Sequence, residues 1–252
     1  MEVHAHTHFP SGGTRKNWTH YLWEFLMLFL AVFCGFLAEN FREKQVENHR
    51  EKQLIRSLYN DIKGDTANLS RIIASRTVRE ADLDSAFELL NSSTAKEHTG
   101  QIYLRAITIS RTLAYRFVPN DGTIQQLKNA GGLRLIRKSE VVDSITKYDA
   151  TIRNLMSNFG VEENVVEYYR SAASKIFHAR FFDQMLDENS NVVRKPIGNP
   201  PLQPFTDREL YEWNYRLYSL KSINNGNRRE ARSILHQAVN LLNQLKQSYH
   251  LE

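Results

Sequence analysis

An eighteen-residue apolar block, Tyr21 to Ala38, constrains this chain more than any other feature. Only Glu24 interrupts the block, and it lies in its first turn. A helix rises 1.5 Å per residue, so the block reaches about 27 Å, close to the roughly 30 Å hydrocarbon core of a bilayer. From Phe25 to Ala38 the helix has no polar side, unlike an amphipathic helix that lies in the interface. The sequence therefore predicts a transmembrane helix over 18–40.

A cleaved signal peptide is the main alternative for this block. Cleavage would need small residues at a fixed spacing after the apolar run, and Gly35 to Ala38 matches that pattern poorly. Outside the block the 252-residue chain is polar and charged, which excludes a multi-pass transporter. About 210 residues remain, enough for one hydrophobic core or two small ones. The single cysteine, Cys34, lies inside the block, so no disulfide stabilises the remainder.

Charge and composition give little indication of nucleic-acid binding, cofactor binding or catalysis. The net charge is +5, but lysines and arginines alternate with acidic residues throughout, so no nucleic-acid partner is expected. No phosphate-binding loop, metal-ligand cluster or nucleophile motif is apparent, and we expect neither a cofactor nor enzymatic activity. His4, His6 and His8 alternate in the tail, where metal binding stays an open alternative to a mobile polar segment.

Apolar residues at three- and four-residue intervals predict helices through most of the chain after the span. Because no alternating strand pattern of useful length appears, the predicted fold class is all-α: one N-terminal transmembrane helix continuing into a stalk and an antiparallel helical bundle. The predicted organisation is a disordered tail (1–17), the transmembrane helix (18–40), a stalk helix entering the bundle (41–75), a helical bundle (76–188), a Pro-rich loop (189–206) and a C-terminal helical pair packed on the bundle (207–252).

Capping and turn residues predict where several helices begin and end. Thr123 and Gln126 have the spacing of a capping box that starts a short helix, and Gly131 with Gly132 stops it. Thr206 and Glu209 form a second capping box. Further helices are predicted over about 78–91, 97–117 and 139–188, and Asn224–Asn227 is predicted to be a turn between the last two helices.

The predicted membrane interface consists of Trp18, Tyr21, Trp23 and Glu24. The aromatic residues are typical of the belt at a membrane surface, where a carboxylate stays hydrated and favours the positive end of a helix. An ionisable residue at the edge of a span also suggests an ion or proton pathway in an oligomer. For Glu24 both roles stay open.

The span also carries a row of small residues, Ala31, Gly35 and Ala38, which allows two helices to approach closely in lipid. We therefore predict a homo-oligomer. After the span, glutamates recur every four residues and form a predicted acidic stripe of Glu39, Glu43, Glu47 and Glu51, with Arg42 and Arg50 nearby. Such a stripe is either an acidic ring in an oligomer or a solvated helix face.

Two residue sets in the soluble region have weaker functional interpretations. Arg229 and His236 lie on one predicted helix with a spacing similar to that of helical RNA-cleaving domains. A group of aromatic residues is spaced as bundle core and could instead line a ligand pocket; it comprises Tyr168, Tyr169, Phe177, Phe181 and Phe182.

Two segments of this chain resemble an uncharacterised family of single-span membrane proteins of Bacteroidetes. The first has Tyr21 and Glu24, the apolar run, Gly35 and Ala38, and a polar exit at Asn40 and Glu43; the second is Leu127 to Ile136. Two positions depart from the family pattern: Ile124 stands where an aromatic residue is usual, and Phe41 stands in an exit segment that usually has a tryptophan. The resemblance implies a basic tail, a glutamate that opens the span and a helical domain, and it implies no activity.

The sequence is thus interpreted as a single-pass binding, sensory or scaffolding protein that forms oligomers. The alternatives are a subunit of a small oligomeric pore, with Glu24 and the acidic stripe near its axis, and a membrane-tethered helical nuclease. Expected partners are the lipid bilayer, further copies of the chain, and an unidentified protein or small-molecule ligand.

The expected location is the bacterial inner membrane, and two signals for its orientation disagree. Basic residues are more numerous after the span, which favours a cytoplasmic domain under the positive-inside rule. Arg15 and Lys16 lie directly before the span, as in a signal anchor. We predict a periplasmic domain, with a cytoplasmic one as the alternative.

Overall fold

The computed structural model describes residues 18–112, 115–129, 131–189, 191–192 and 194–251. The predicted tail 1–17, with His4, His6 and His8, lies outside them. Within the described residues the chain forms six α-helices and no β-strand, which confirms the all-α fold class. The helices are α1 (Trp18–Leu90), α2 (Thr99–Ser110), α3 (Gly122–Asn129), α4 (Ser139–Ala173), α5 (Ala179–Asp183) and α6 (Asp207–Tyr249).

The chain divides into two units, residues 1–50 and 51–252. In the first unit the described residues all belong to α1, and every side chain from Trp18 to Glu39 is exposed. This segment makes α1 long and apolar enough to cross a membrane. None of the apolar segment is buried, whereas the core helix of a soluble protein is mostly buried.

The second unit contains two hydrophobic cores. In the first core α1, α3, α4 and α6 pack together; its fully buried members include Ile55, Leu58, Ile62, Leu127, Leu155, Ile234 and Leu245. In the second core the end of α1 packs with α2, the end of α4 and the start of α6; its members include Leu83, Ile102, Tyr103, Tyr169, Phe177, Trp213 and Leu220. Except for Phe177, which lies between α4 and α5, these residues are on the inner faces of their helices, as the three- and four-residue periodicity of the sequence requires.

Helix α1 does not end where the sequence predicts the end of the stalk. It continues through 76–78 as one helix to Leu90, so the separate helix expected over 78–91 is wrong. The residues that interrupt the apolar pattern there are Arg76 and Arg79, and both are buried. A charged pair on the inner face thus replaces two core residues without breaking the helix.

Two other predicted helices are shorter in the structure. Helix α2 ends at Ser110 rather than near 117, and α4 ends at Ala173 instead of continuing to 188. After α4 the chain turns, and Gln203 from the Pro-rich segment binds the turn: its amide Nε2 donates to the carbonyls of Ser174 (3.1 Å) and Phe177 (2.7 Å). Gln203, which is distant in the sequence, thus donates to carbonyls that would accept backbone N–H groups if α4 were longer.

The predicted C-terminal helical pair is a single helix. Helix α6 has 43 residues and passes through Asn224–Asn227 without a turn. Asn224 and Asn227 are 0 % and 3 % exposed, and their side-chain amides bind groups on α1 and α4. Residues that favour turns in isolation here serve as buried hydrogen-bonding groups, so tertiary contacts override their local preference.

Some local signals match the structure. Thr206 and Glu209 form the predicted capping box of α6, and Gly131 ends the α3 region with a φ of 66°. The predicted cap at Thr123 is wrong, because α3 begins at Gly122 and the Thr123 N–H donates to Asp61 on α1 (3.2 Å).

Candidate functional site

The residues of the predicted membrane interface are all exposed on α1. Trp18, Tyr21 and Trp23 are 78 %, 56 % and 63 % exposed. The Glu24 carboxylate lies 3.1 Å from the imidazole of His20, one turn earlier. This pair lies at the start of the apolar segment, but Glu24 is beyond the first turn of α1, where the helix dipole would favour a carboxylate most.

The small residues of the predicted packing face also lie open. Ala31, Gly35 and Ala38 are exposed, and a Cβ added to Gly35 would meet no atom within 4 Å. The face is therefore free for close approach by another helix, and self-association through it stays a prediction.

The four glutamates of the predicted acidic stripe do not share one environment. Glu39 pairs with Arg42 through two hydrogen bonds, of 3.0 Å and 2.6 Å, and Glu43 is exposed. Glu47 is partly buried. Glu51 belongs to the second unit and is buried, where it accepts hydrogen bonds from Tyr249 Oη and from a backbone N–H. The stripe therefore does not extend to Glu51, because that carboxylate is used inside the bundle.

The most deeply buried polar site is a cluster of Arg76, Arg79 and Glu162. Arg76 holds both oxygens of Glu162, with N–O distances of 3.1 Å and 2.8 Å, and Arg79 also donates to Oε1 of this carboxylate. The side chains of all three are at most 4 % exposed. Helices α1 and α4 are thereby joined by a double ion pair in the interior.

Neighbouring amides and carbonyls bind most of the remaining polar groups of the cluster, whereas Arg76 Nε is buried without a hydrogen-bond partner among the described residues. Asn227 donates to Glu162 (2.7 Å), and Asn224 both accepts from Arg76 and donates to its carbonyl. Arg79 donates twice to the carbonyl of Ile109, at 3.2 Å and 2.8 Å. That carbonyl lies in the last turn of α2, where the helix dipole is negative and offsets a buried positive charge.

The electrostatics of the cluster favour the ionised state of its carboxylate. Burial alone would raise the pKa of Glu162, but hydrogen bonds and charges from Arg76 and Arg79 hold it below its ordinary value. Burial lowers the pKa of Arg79, and the Glu162 charge opposes this shift. The Arg79 guanidinium also lies 4.4 Å from the centre of the Tyr115 ring, a favourable cation–π distance.

The space beside this cluster is too small for a substrate. The hollow lined by Arg76, Tyr115, Phe159 and Glu162 has a volume of about 10 Å³, which is roughly that of one water molecule. The cluster therefore joins helices in the interior, and we assign it no catalytic role.

The predicted aromatic set divides between a hollow, the core and the surface. Tyr169, Phe177 and Phe182 line a hollow of about 370 Å³ between α2, α4 and α5. Phe181 packs edge-on against Tyr103. Tyr168 is 57 % exposed, outside this hollow, with the Arg216 guanidinium 5.0 Å from its ring centre.

A second hollow was not apparent from the sequence. It is a groove of about 500 Å³ between the start of α2 and the Pro-rich segment, and its lining includes Thr99, Pro201 and Phe205. Its two walls are about 100 residues apart in the chain, so only the folded structure brings them together.

The residue pair behind the nuclease interpretation lies on the surface. Arg229 and His236 are exposed on α6, and neither lines the hollows described above. Within the part of the chain that the structure describes, no group of three or more His, Cys, Asp or Glu side chains is placed to hold a metal ion.

The spacing of Arg76 and Arg79 along α1 is a sequence signal for the buried cluster. The inner face of α1 runs through Leu69, Ile72, Leu83, Ala86 and Leu90, and the same spacing places Arg76 and Arg79 on that face. Two arginines in the register of core residues indicate a buried ionic partner, although the sequence alone does not identify Glu162.

Comparisons of this chain with protein-family models, with curated proteins and with solved structures found no match.

Proposed function

We propose that this chain is a single-pass binding module of the bacterial inner membrane, held there by α1 and assembled as a homo-oligomer. The observation that carries the proposal is the apolar segment Tyr21–Ala38, whose side chains are all exposed. Water would solvate such a surface poorly, whereas a bilayer matches its length and its all-round apolar character.

Binding is favoured over catalysis because of what the second unit offers. Its buried acidic and basic side chains form ion pairs or hydrogen bonds inside the bundle, while its two larger hollows have mainly apolar linings. Such hollows are typical of sites that hold small molecules. The open row of Ala31, Gly35 and Ala38 supports the oligomer, and crosslinking of the membrane-embedded chain that yields only monomer would contradict it.

The orientation is tested with two fusions after residue 250, one to alkaline phosphatase and one to a fluorescent protein that folds only in the cytoplasm. We expect an active phosphatase and a dark fluorescent fusion, because Arg15 and Lys16 directly before the span hold the N-terminus in the cytoplasm. An inactive phosphatase with a bright fluorescent fusion would place the domain in the cytoplasm instead.

A further inference from the structure

The groove beside α2 has the dimensions of a small-molecule site. Its volume of about 500 Å³ lies within the range of roughly 300–1,000 Å³ that is usual for such sites. Most of its lining is apolar: Leu90, Ala95, Pro200, Pro201, Leu202, Pro204 and Phe205. An apolar molecule, or the apolar part of one, is therefore the natural occupant of most of this space.

The Pro-rich wall of the groove is fixed by hydrogen bonds from several elements. Tyr103 Oη donates to the carbonyl of Pro201 (3.1 Å), and the Gly100 N–H donates to Asn199 Oδ1 (3.2 Å). The backbone N–H of Gln203 donates to the carbonyl of Ile176 (2.9 Å). A wall held in this way is preformed, so a ligand need not order it on binding.

Polar groups lie on the opposite side of the groove, at the start of α2. Thr99 is 3 % exposed, and its hydroxyl has no hydrogen-bond partner among the described residues. Lys96 lines the groove as well, whereas the neighbouring Glu97 does not. The first turn of α2 adds the partial positive charge of a helix N-terminus. An unpartnered hydroxyl, an ammonium group and a helix N-terminus all favour an anionic acceptor.

We infer that this groove binds a small carboxylic acid with an apolar tail, an inference that rests on the proposed binding function and specifies its ligand class. The carboxylate lies toward Lys96 and the start of α2 and accepts a hydrogen bond from Thr99. The tail packs against Pro201, Leu202 and Phe205.

The test uses the full chain in lipid nanodiscs and three probes that differ only in their end group: 3-phenylpropanoate, 3-phenylpropan-1-ol and 3-phenylpropan-1-amine. Binding is measured by ligand-observed NMR, with empty nanodiscs as the control for partition into lipid. We expect the acid to bind more tightly than the alcohol and the alcohol more tightly than the amine. Equal affinity for acid and alcohol, or no saturable binding of the acid, would overturn the inference.

Two variants locate the site. Lys96→Gln removes an exposed charge and is expected to weaken binding of the acid about threefold while leaving the alcohol unchanged. Thr99→Val removes a hydrogen bond to the charged carboxylate at nearly constant side-chain volume. It is expected to weaken binding of the acid about tenfold. Lys147→Gln, on an exposed face of α4, is the matched control and should change nothing.

Circular dichroism confirms that each variant is folded before its affinity is compared. Unchanged affinity for the acid in both Lys96→Gln and Thr99→Val would overturn the assignment to this groove. A chain that stays in the membrane but binds no acid would contradict the inferred ligand class and leave the membrane anchor unaffected. The two proposals can therefore fail independently.

Discussion

Arg76, Arg79 and Glu162 show how the bundle accommodates charge in its interior. Burying an ion without a partner is costly, and a buried ion pair is tolerated only when its remaining hydrogen-bonding groups are satisfied. Here Asn224 and Asn227 each add a hydrogen bond to the pair, which leaves Arg76 Nε as its unpartnered group among the described residues. Two guanidinium groups share one carboxylate, and the end of α2 offsets part of the remaining positive charge.

Replacing Glu162 by glutamine should destabilise the fold strongly, because the variant leaves two buried guanidinium groups without a counter-charge. We expect a loss of about 3–5 kcal/mol in the free energy of unfolding. Glu163→Gln is the matched control: Glu163 is exposed and lies 3.9 Å from Arg116, so the change should stay within about 1 kcal/mol. Urea unfolding followed by circular dichroism measures both, and equal stability of the two variants would contradict the account.

The penalty of Glu162→Gln should depend on pH. The pKa of Glu162 in the folded chain lies below its ordinary value of 4.5, so the folded state binds this proton more weakly than the unfolded state does. Its contribution to stability is therefore complete above about pH 4.5 and is lost as the pH falls through the lowered folded pKa.

This pH dependence is measured as the difference in unfolding free energy between wild type and Glu162→Gln. The difference should be largest near neutral pH and should shrink as the solution becomes more acidic than about pH 4. A difference that stays constant or grows with acid would contradict a lowered pKa of Glu162 in the folded chain.

Helix α6 shows most clearly how contacts with other helices can override the local turn preference of a sequence. Asn224–Asn227 has the composition of a turn, yet the helix passes through it because both asparagine side chains bind groups on other helices. Gly226 lies in this stretch, and a Cβ added to it would meet no atom within 4 Å. The glycine is therefore not required for space.

Gly226→Ala should stabilise the chain by about 0.5–1 kcal/mol, because alanine favours the helix and loses less conformational freedom on folding. Gly100→Ala is the contrasting variant, since its Cβ would lie 2.5 Å from the carbonyl oxygen of Gly198. It should destabilise by about 1–3 kcal/mol. Thermal unfolding compares the two, and a destabilising Gly226→Ala would indicate a turn at that position.

Features that depend on neighbouring residues could be predicted from the sequence. The capping box at Thr206 and the stop at Gly131 each follow from a few adjacent residues. The end of α4 could not be predicted in this way, because Gln203, which donates a hydrogen bond to the turn after α4, comes from a distant loop. The hollow lined by Tyr169 and Phe177 could be suggested from aromatic spacing, whereas the groove could not, because its walls are far apart in the sequence.

At the scale of the whole molecule, the two units differ in where their apolar side chains lie. The described part of residues 1–50 buries almost nothing and presents a long apolar segment, while residues 51–252 enclose two cores of their own. All the residues of these two cores lie within 51–252. We therefore expect the second unit to fold without the apolar segment.

Deleting residues 1–40 tests membrane anchoring most directly. The full chain and the deletion variant are expressed in bacteria, and their membranes are washed with alkaline carbonate and separated by sedimentation. The full chain should stay in the pellet, because extracting the apolar segment exposes a large hydrophobic surface to water. The variant should appear in the supernatant and give a helical circular dichroism spectrum. A folded variant that stays in the pellet would contradict the assignment of the membrane anchor to Tyr21–Ala38.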